Sequence, residues 1–166
     1  MSSGHSAPDL STRLAAALLE WHEGKAVLGG VSIEKLAAAH GTPLYLYDAD
    51  VLLSQFQRLR RALPTPIEIY YSIKANPHPS VISVFVQQGA GCEIASGGEY
   101  ALARRAGAPP NRIVFAGPGK GREELEFVVS RGIGEIHLES FEEIKTLEQV
   151  ASRGIRYSTY LYDGQG

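Results

Sequence analysis

The chain has 166 residues, 44% of them hydrophobic and 20% charged, with a formal net charge of −2. That is enough chain to bury a substantial core in one globular domain. The near-neutral balance argues against a nucleic-acid or membrane-surface partner, which usually leaves a basic patch. A single cysteine, Cys92, rules out an internal disulfide and fits a reducing compartment.

The opening "MSSGHSAPDLST" is small and polar, and no packed structure is expected of it. The apolar run "LAAALL" at 14–19 falls short of the roughly 20 residues a membrane span needs. It also lacks a basic leader, so it is not read as a secretion signal, and the expected location is the cytoplasm. A helix is predicted around 12–22, followed by a short segment "SIEKLAAAHG" at 32–41.

From residue 43 the pattern becomes regular. Strand-type runs occur at "PLYLYD" (43–48), "IEIYYSIK" (67–74), "CEIAS" (92–96), "RIVFAG" (112–117), "EIHLES" (135–140) and "RYSTYLY" (156–162). Helix-type segments lie between them: "VLLSQFQRLRRAL", "SVISVFVQQG", "GEYALARRAG", "REELEFVVSRG" and "FEEIKTLEQVASRG". Several end in glycine, the usual C-terminal stop. Strand–helix steps of nearly constant length mean βαβ units and a parallel sheet.

That period allows either an open doubly wound sheet or a (β/α)8 barrel. The loop after the first strand lacks G-x-G-x-x-G, which lowers the dinucleotide-binding version. The preferred reading is an α/β fold, a (β/α)8 barrel with only about six βα units present. A whole barrel takes about 250 residues, so the chain reads as a truncated one.

Lys74 ends the second strand-type run, just before the loop "ANPHPS". In parallel α/β folds that end of the sheet is the catalytic face. A lysine held there against apolar walls is pushed toward its neutral amine, which can condense with an aldehyde. The competing reading is a lysine that simply extends its ammonium into solvent.

The surrounding text decides between them. "YYSIKANPHPSVI" at 70–82 resembles the lysine motif of the fold type III pyridoxal-phosphate enzymes, usually Tyr-Ala-hydrophobic-Lys-Ala-Asn. That superfamily includes alanine racemase and the ornithine, arginine and diaminopimelate decarboxylases. The likeness continues through "GAGCEIASGGEYALARRAGAPPNRIVFAGPGKGREELEFVVSRGIGEIHLESFEEI" at 89–144, where it is most similar to the diaminopimelate-decarboxylase branch. The resemblance implies an alanine racemase-like barrel, with pyridoxal 5'-phosphate held as an imine on Lys74.

It also implies cofactor-binding roles for Glu93, Glu99 and Asn76. Glu93 stands where the family's decarboxylases usually have aspartate, and Glu99 matches a family glutamate near the lysine. Read without the family, Glu93 is a solvated strand-end acid and Glu99 a first-turn residue favoured by the helix dipole. Asn76 would then be a helix cap. Gly97 and Gly98 read as a turn between strand and helix. "AGPGKGRE" at 116–123 fails the P-loop spacing and also reads as a turn. His137 and Glu139 alternate onto one strand face and read as core or barrel-lining residues; no metal site is expected.

The implied organisation is a lead-in over 1–42 and a partial pyridoxal-phosphate-binding barrel over 43–166, with the family's C-terminal β domain absent from the sequence. The final stretch departs from the family, which usually has Leu-Arg-hydrophobic-Asn-Pro where this chain has "RYSTYLYDGQG" at 156–166. The function implied is a pyridoxal-phosphate-dependent amino-acid decarboxylase, a carbon–carbon lyase. Its substrate would be a small-molecule amino acid or an aminoacyl group bound to a carrier protein. The alternatives are a non-catalytic pyridoxal-phosphate-binding barrel that buffers the cofactor, or an inactive fragment. Full-length relatives are homodimers, an arrangement the sequence leaves open here. Weak cofactor affinity and little turnover are expected of the 166 residues alone, since the family's phosphate and pyridine anchors come later in the chain.

Overall fold

The computed structural model describes residues 9–151 and 155–159. The first residues of the polar leader and the end of the last strand-type run, 160–162, lie outside them. The chain divides after Gln55 into two compact units, Met1–Gln55 and Phe56–Gly166.

The first unit opens with helix α1 (Leu10–Leu18), capped by the Asp9 carboxylate, which accepts from the Thr12 N–H at 2.8 Å. The predicted helix ran to residue 22. Instead, Glu20–His22 (β1) pairs antiparallel with Lys25–Leu28 (β2), which pairs with Val31–Ser32 (β3). The turns carry the reason: Gly24, Gly29 and Gly30 all take positive φ, which glycine adopts without steric cost. Helix α2 (Ile33–His40) follows, its start capped by Ser32, which accepts from the Lys35 N–H. "PLYLYD" at 43–48 is not a strand, because it pairs with neither sheet. Tyr45 and Tyr47 are exposed; a strand-type run without a hydrogen-bonding neighbour stays a single extended segment. Asp48 then caps helix α3 (Ala49–Ala62), accepting from the Asp50 and Val51 N–H groups.

The second unit is built on one five-stranded sheet: Tyr70–Ser72 (β4), Gly91–Ile94 (β5), Ile113–Phe115 (β6), Glu135–Leu138 (β7) and Arg156–Thr159 (β8). All neighbours are parallel, and their spatial order is their chain order. Between them run α4 (Pro79–Gln87), α5 (Gly97–Arg105), α6 (Arg122–Val129) and α7 (Phe141–Val150). Helices α6 and α7 lie within segments marked helical by their sequence pattern, and α4 and α5 start one residue before theirs.

Burial alternates along the strands. Ile73, Cys92, Ile94, Ile113, Phe115, Ile136 and Leu138 form one core with Ile82 of α4, Tyr100 and Ala103 of α5, Leu125 and Val128 of α6 and Leu147 of α7. Successive strand residues point to opposite faces, so one face of the sheet is covered by helices. The other presents Ser72, Glu93, Val114, Glu135, His137 and Ser158. A doubly wound sheet carries helices on both faces and reverses its strand order. Sequential order with one-sided cover is the winding of an α/β barrel, and this sheet is an arc of one.

At the amino ends of the strands, the Arg112 guanidinium bonds Glu68 and the Gly89 carbonyl and lies over the Tyr70 ring at 5.1 Å. Gly134 brings the chain into β7 against the backbone of Asn111, where an added Cβ would overlap the Asn111 carbonyl. Backbone cannot yield as a side chain tip can, so Gly134→Ala is expected to destabilise the fold by about 1–3 kcal/mol. Urea unfolding checks this, with Gly98→Ala as a control because the space there is ordinary.

Candidate active site

The carboxyl ends of the strands gather the predicted site residues. β4 stops at Ser72, and the chain turns through a single 3-10 turn, Ile73–Ala75. Lys74 therefore sits in that turn, two residues past the strand rather than at its last position. It is exposed, so the described residues do not supply the apolar walls expected around it. None of them pairs with its amine either. The turn is held on both sides: Ile73 is fully buried in the core, and Tyr71 stacks on Phe85 with ring centroids 4.4 Å apart.

Asn76 fixes the exit from this turn. Its Oδ1 accepts from the His78 N–H at 3.0 Å, and its carbonyl accepts from the Tyr71 hydroxyl at 3.1 Å. The helix cap itself is His78, whose Nδ1 accepts from the Ser80 N–H, with Pro79 in the first helical position. Asn76 thus shapes the lysine loop instead of capping α4.

Glu93 is half-buried on β5, directly opposite Ser72 in the parallel register. Glu99 lies in the first turn of α5, and its Oε2 accepts from the Ala95 N–H at 2.7 Å. Ser96 completes the cap by accepting from the Glu99 N–H at 3.2 Å. Gly97 and Gly98 are the first two residues of that helix, not a separate turn.

The loop 116–121 is a strand-to-helix connection, as its spacing implied, but it holds something the sequence did not reveal. Lys120 has a side chain only 1% exposed, paired with Glu143, 7% exposed, at 3.1 Å. Its ammonium also donates to the Gly117 carbonyl at 2.5 Å and lies 5.7 Å from the Phe115 ring centre. The Glu143 carboxylate accepts from the Gly119, Lys120 and Glu139 N–H groups at 2.9–3.1 Å. Burial works to raise the Glu143 pKa, but the Glu139 amide, the hydrogen bonds from Lys120 and its charge outweigh that, and the net shift is downward.

His137 is half-buried on the uncovered face, its Nε2 3.2 Å from the Glu135 carboxylate, which the Ser158 hydroxyl also meets at 3.2 Å. That is a lining position. Glu139 has left the strand, and its carboxylate accepts from the Gly117 N–H at 3.0 Å. Among the described residues no group of three or more His, Cys, Asp or Glu could hold a metal ion. No described helix is long and apolar enough to cross a membrane. Burial pushes the Cys92 pKa up to about 11, so it stays an unreactive thiol at neutral pH.

The family model described as "Pyridoxal-dependent decarboxylase, pyridoxal binding domain" matches residues 49–159. The chain belongs to this family.

Among its relatives in this family, diaminopimelate decarboxylase of Aquifex aeolicus is 40% identical over 135 residues, covering 81% of this chain and 32% of the relative. L-glutamyl-[BtrI acyl-carrier protein] decarboxylase of Niallia circulans is 42% identical over 126 residues, covering 76% of this chain and 29% of the relative. A solved Aquifex aeolicus structure superposes with a TM-score of 0.81 at 36% identity, over 89% of this chain and 38% of that one. Helicobacter pylori diaminopimelate decarboxylase complexed with L-lysine gives 0.66 at 36% identity, over 70% and 30%. The chain therefore spans about a third of the length of the curated relatives it matches.

The cofactor of a pyridoxal-binding domain is pyridoxal phosphate, and the residues present fit it. An amine with no partner among the described residues stands at the carboxyl end of a parallel sheet. On the same side, the buried Ser72 hydroxyl has no hydrogen-bond partner among the described residues. Lys74 would hold the aldehyde, with Glu93 on the adjoining strand.

Glu143 provides a test of how this end of the domain is held. Its folded pKa lies below its ordinary value of 4.5. Its contribution to stability is therefore fully present above pH 4.5 and lost as pH falls through the lower folded value. Glu143→Ala strands a buried ammonium and three amides, so the expected loss is about 3–5 kcal/mol at pH 7. Denaturant unfolding from pH 7 to pH 3 measures both effects, and Glu143→Gln should flatten the acid limb.

Proposed function

We propose that this chain is the lysine-bearing part of a pyridoxal-phosphate-dependent amino-acid decarboxylase. One observation carries the reading: in a domain of this family, Lys74 presents an amine without a partner among the described residues at the carboxyl end of the sheet, within the motif "YYSIKAN". Residues 1–42 are the lead-in and 43–166 the partial barrel.

Bound pyridoxal phosphate supplies an electron sink for the pair released when a Cα–carboxylate bond breaks. The chain's own residues hold and orient. Lys74 would hold the cofactor's aldehyde through its Nζ, and as a free amine it would be able to accept or return a proton. Glu93, opposite Ser72 on the adjoining strand, would contribute a carboxylate to the cofactor site. Glu99 acts through the backbone by fixing the Ala95 amide, and Asn76 acts through the loop that sets the direction of Lys74. Both are positioning residues.

The substrate class follows the relatives. Free diaminopimelate or a similar amino acid is favoured by the Aquifex and Helicobacter enzymes. An aminoacyl group on a carrier protein is favoured by the 42% identical Niallia relative, named as a decarboxylase of such a substrate. A cytoplasmic location fits either substrate, and a homodimer is the arrangement proposed for the longer enzyme.

Incubation of the 166-residue chain with pyridoxal phosphate, followed by borohydride, should yield a pyridoxyl adduct on Lys74 by peptide mass mapping. It should disappear in Lys74→Ala. Labelling elsewhere, or none, would overturn the assignment. Carbon dioxide release from a panel of free amino acids and a carrier-bound glutamyl group then reads the activity. Because little turnover is expected of these residues alone, release is read on the longer enzyme, where an adduct without release from any of them would favour a cofactor-buffering barrel.

A further inference from the structure

The uncovered face of the sheet holds a side-chain atom that no contact explains. The Ser72 hydroxyl is buried and has no hydrogen-bond partner among the described residues. A buried hydroxyl left unpaired opposes folding, and native structures rarely tolerate one without a reason. The orientation of Ser72 is not free to change, since its neighbours are committed to the helix side. Tyr71 is stacked on Phe85 and Ile73 is wholly buried.

A partner within the chain is near but not engaged. Glu93 stands opposite Ser72 on β5, and no hydrogen bond joins them. Two residues further on, Lys74 carries an amine that is unpaired as well. The motif this segment resembles usually has alanine at the Ser72 position, and alanine has nothing to satisfy. Here a donor has been brought to the edge of the lysine site with no acceptor offered to it.

We propose that Ser72 is a cofactor-binding residue, its hydroxyl reserved as a hydrogen-bond donor to an oxygen of the pyridoxal phosphate carried at Lys74. This rests on the lysine reading above. It explains why the hydroxyl is unpaired without the cofactor: the missing acceptor arrives with the ligand. It also makes a signature that a merely structural serine could not produce, because the same substitution acts in opposite directions with and without ligand.

Ser72→Ala in the 166-residue chain is the test, with stability read by denaturant unfolding and cofactor affinity by absorbance titration with pyridoxal 5'-phosphate. Without cofactor, the variant should be as stable as the parent or more so, since it loses only an unpaired buried hydroxyl. With cofactor, affinity should fall about fivefold, the worth of one neutral hydrogen bond. A loss of stability in the unloaded variant would mean that the hydroxyl already has a partner, and the proposal fails. Unchanged affinity also defeats it. Borohydride trapping on the parent separates the two readings. If Lys74 is labelled and Ser72→Ala binds like the parent, only the Ser72 assignment falls; if Lys74 is never labelled, both fall.

Discussion

One constraint shapes the second unit: the large apolar side chains of β5, β6 and β7, with Ile73 just after β4, are buried against the helices on one side of the sheet. Ile73, Ile94, Phe115, Ile136 and Leu138 alternate with residues that face away, and the helices that cover them have nowhere else to pack. Burial of each such side chain is worth roughly 1.5–3 kcal/mol, so a one-residue slip in any strand would turn its apolar set outward. Two consequences follow. The strands keep their chain order, and the opposite face is left to polar residues.

That second face is where chemistry can be placed. Ser72, Glu93, Glu135, His137 and Ser158 could not sit on the helix side without leaving buried polar groups among aliphatic ones. The sorting that builds the core thus also gathers hydroxyl, carboxylate and imidazole groups on one face of the sheet, with Ser72 and Glu93 on the two strands nearest the turn that carries Lys74. The same end of the sheet is stiffened by carboxylates reaching back to the preceding loop. Glu124 in the first turn of α6 accepts from the Gly97 N–H at 2.9 Å, and Glu139 accepts from that of Gly117. Glu143 in the first turn of α7 accepts from Gly119 and Lys120. Loops that would otherwise expose amides are tied unit to unit, and acidic residues at helix starts gain from the helix dipole as well.

Much of this was legible along the chain, for particular reasons. The helices showed themselves as helix-type segments that often end in glycine, while the serine caps at Ser96 and Ser140, each with a glutamate three residues on, came to light in the structure. The strands β4 to β8 showed themselves as short β-type runs at a steady interval. "PLYLYD" carries the same local signal and is no strand, since strand character is a property of a pair and its partner is not readable from the run itself. The hairpin β1–β2–β3 was missed because its strands are two to four residues long, too short for alternation to register. Lys74 was found through the motif; its place in a 3-10 turn beyond the strand was not.

The sequence alone determined the alternation of short strands and helices, hence the parallel sheet, and through "YYSIKAN" it singled out Lys74. Those signals are local: periods of two and of 3.6, caps, and one motif. The tertiary structure decided which residues meet across 20 or more positions. It paired Lys120 with Glu143, set Ser72 opposite Glu93 and left the Ser72 hydroxyl without an acceptor. Burial and hydrogen-bond satisfaction are properties of a packed neighbourhood, and no stretch of chain carries its neighbourhood within itself.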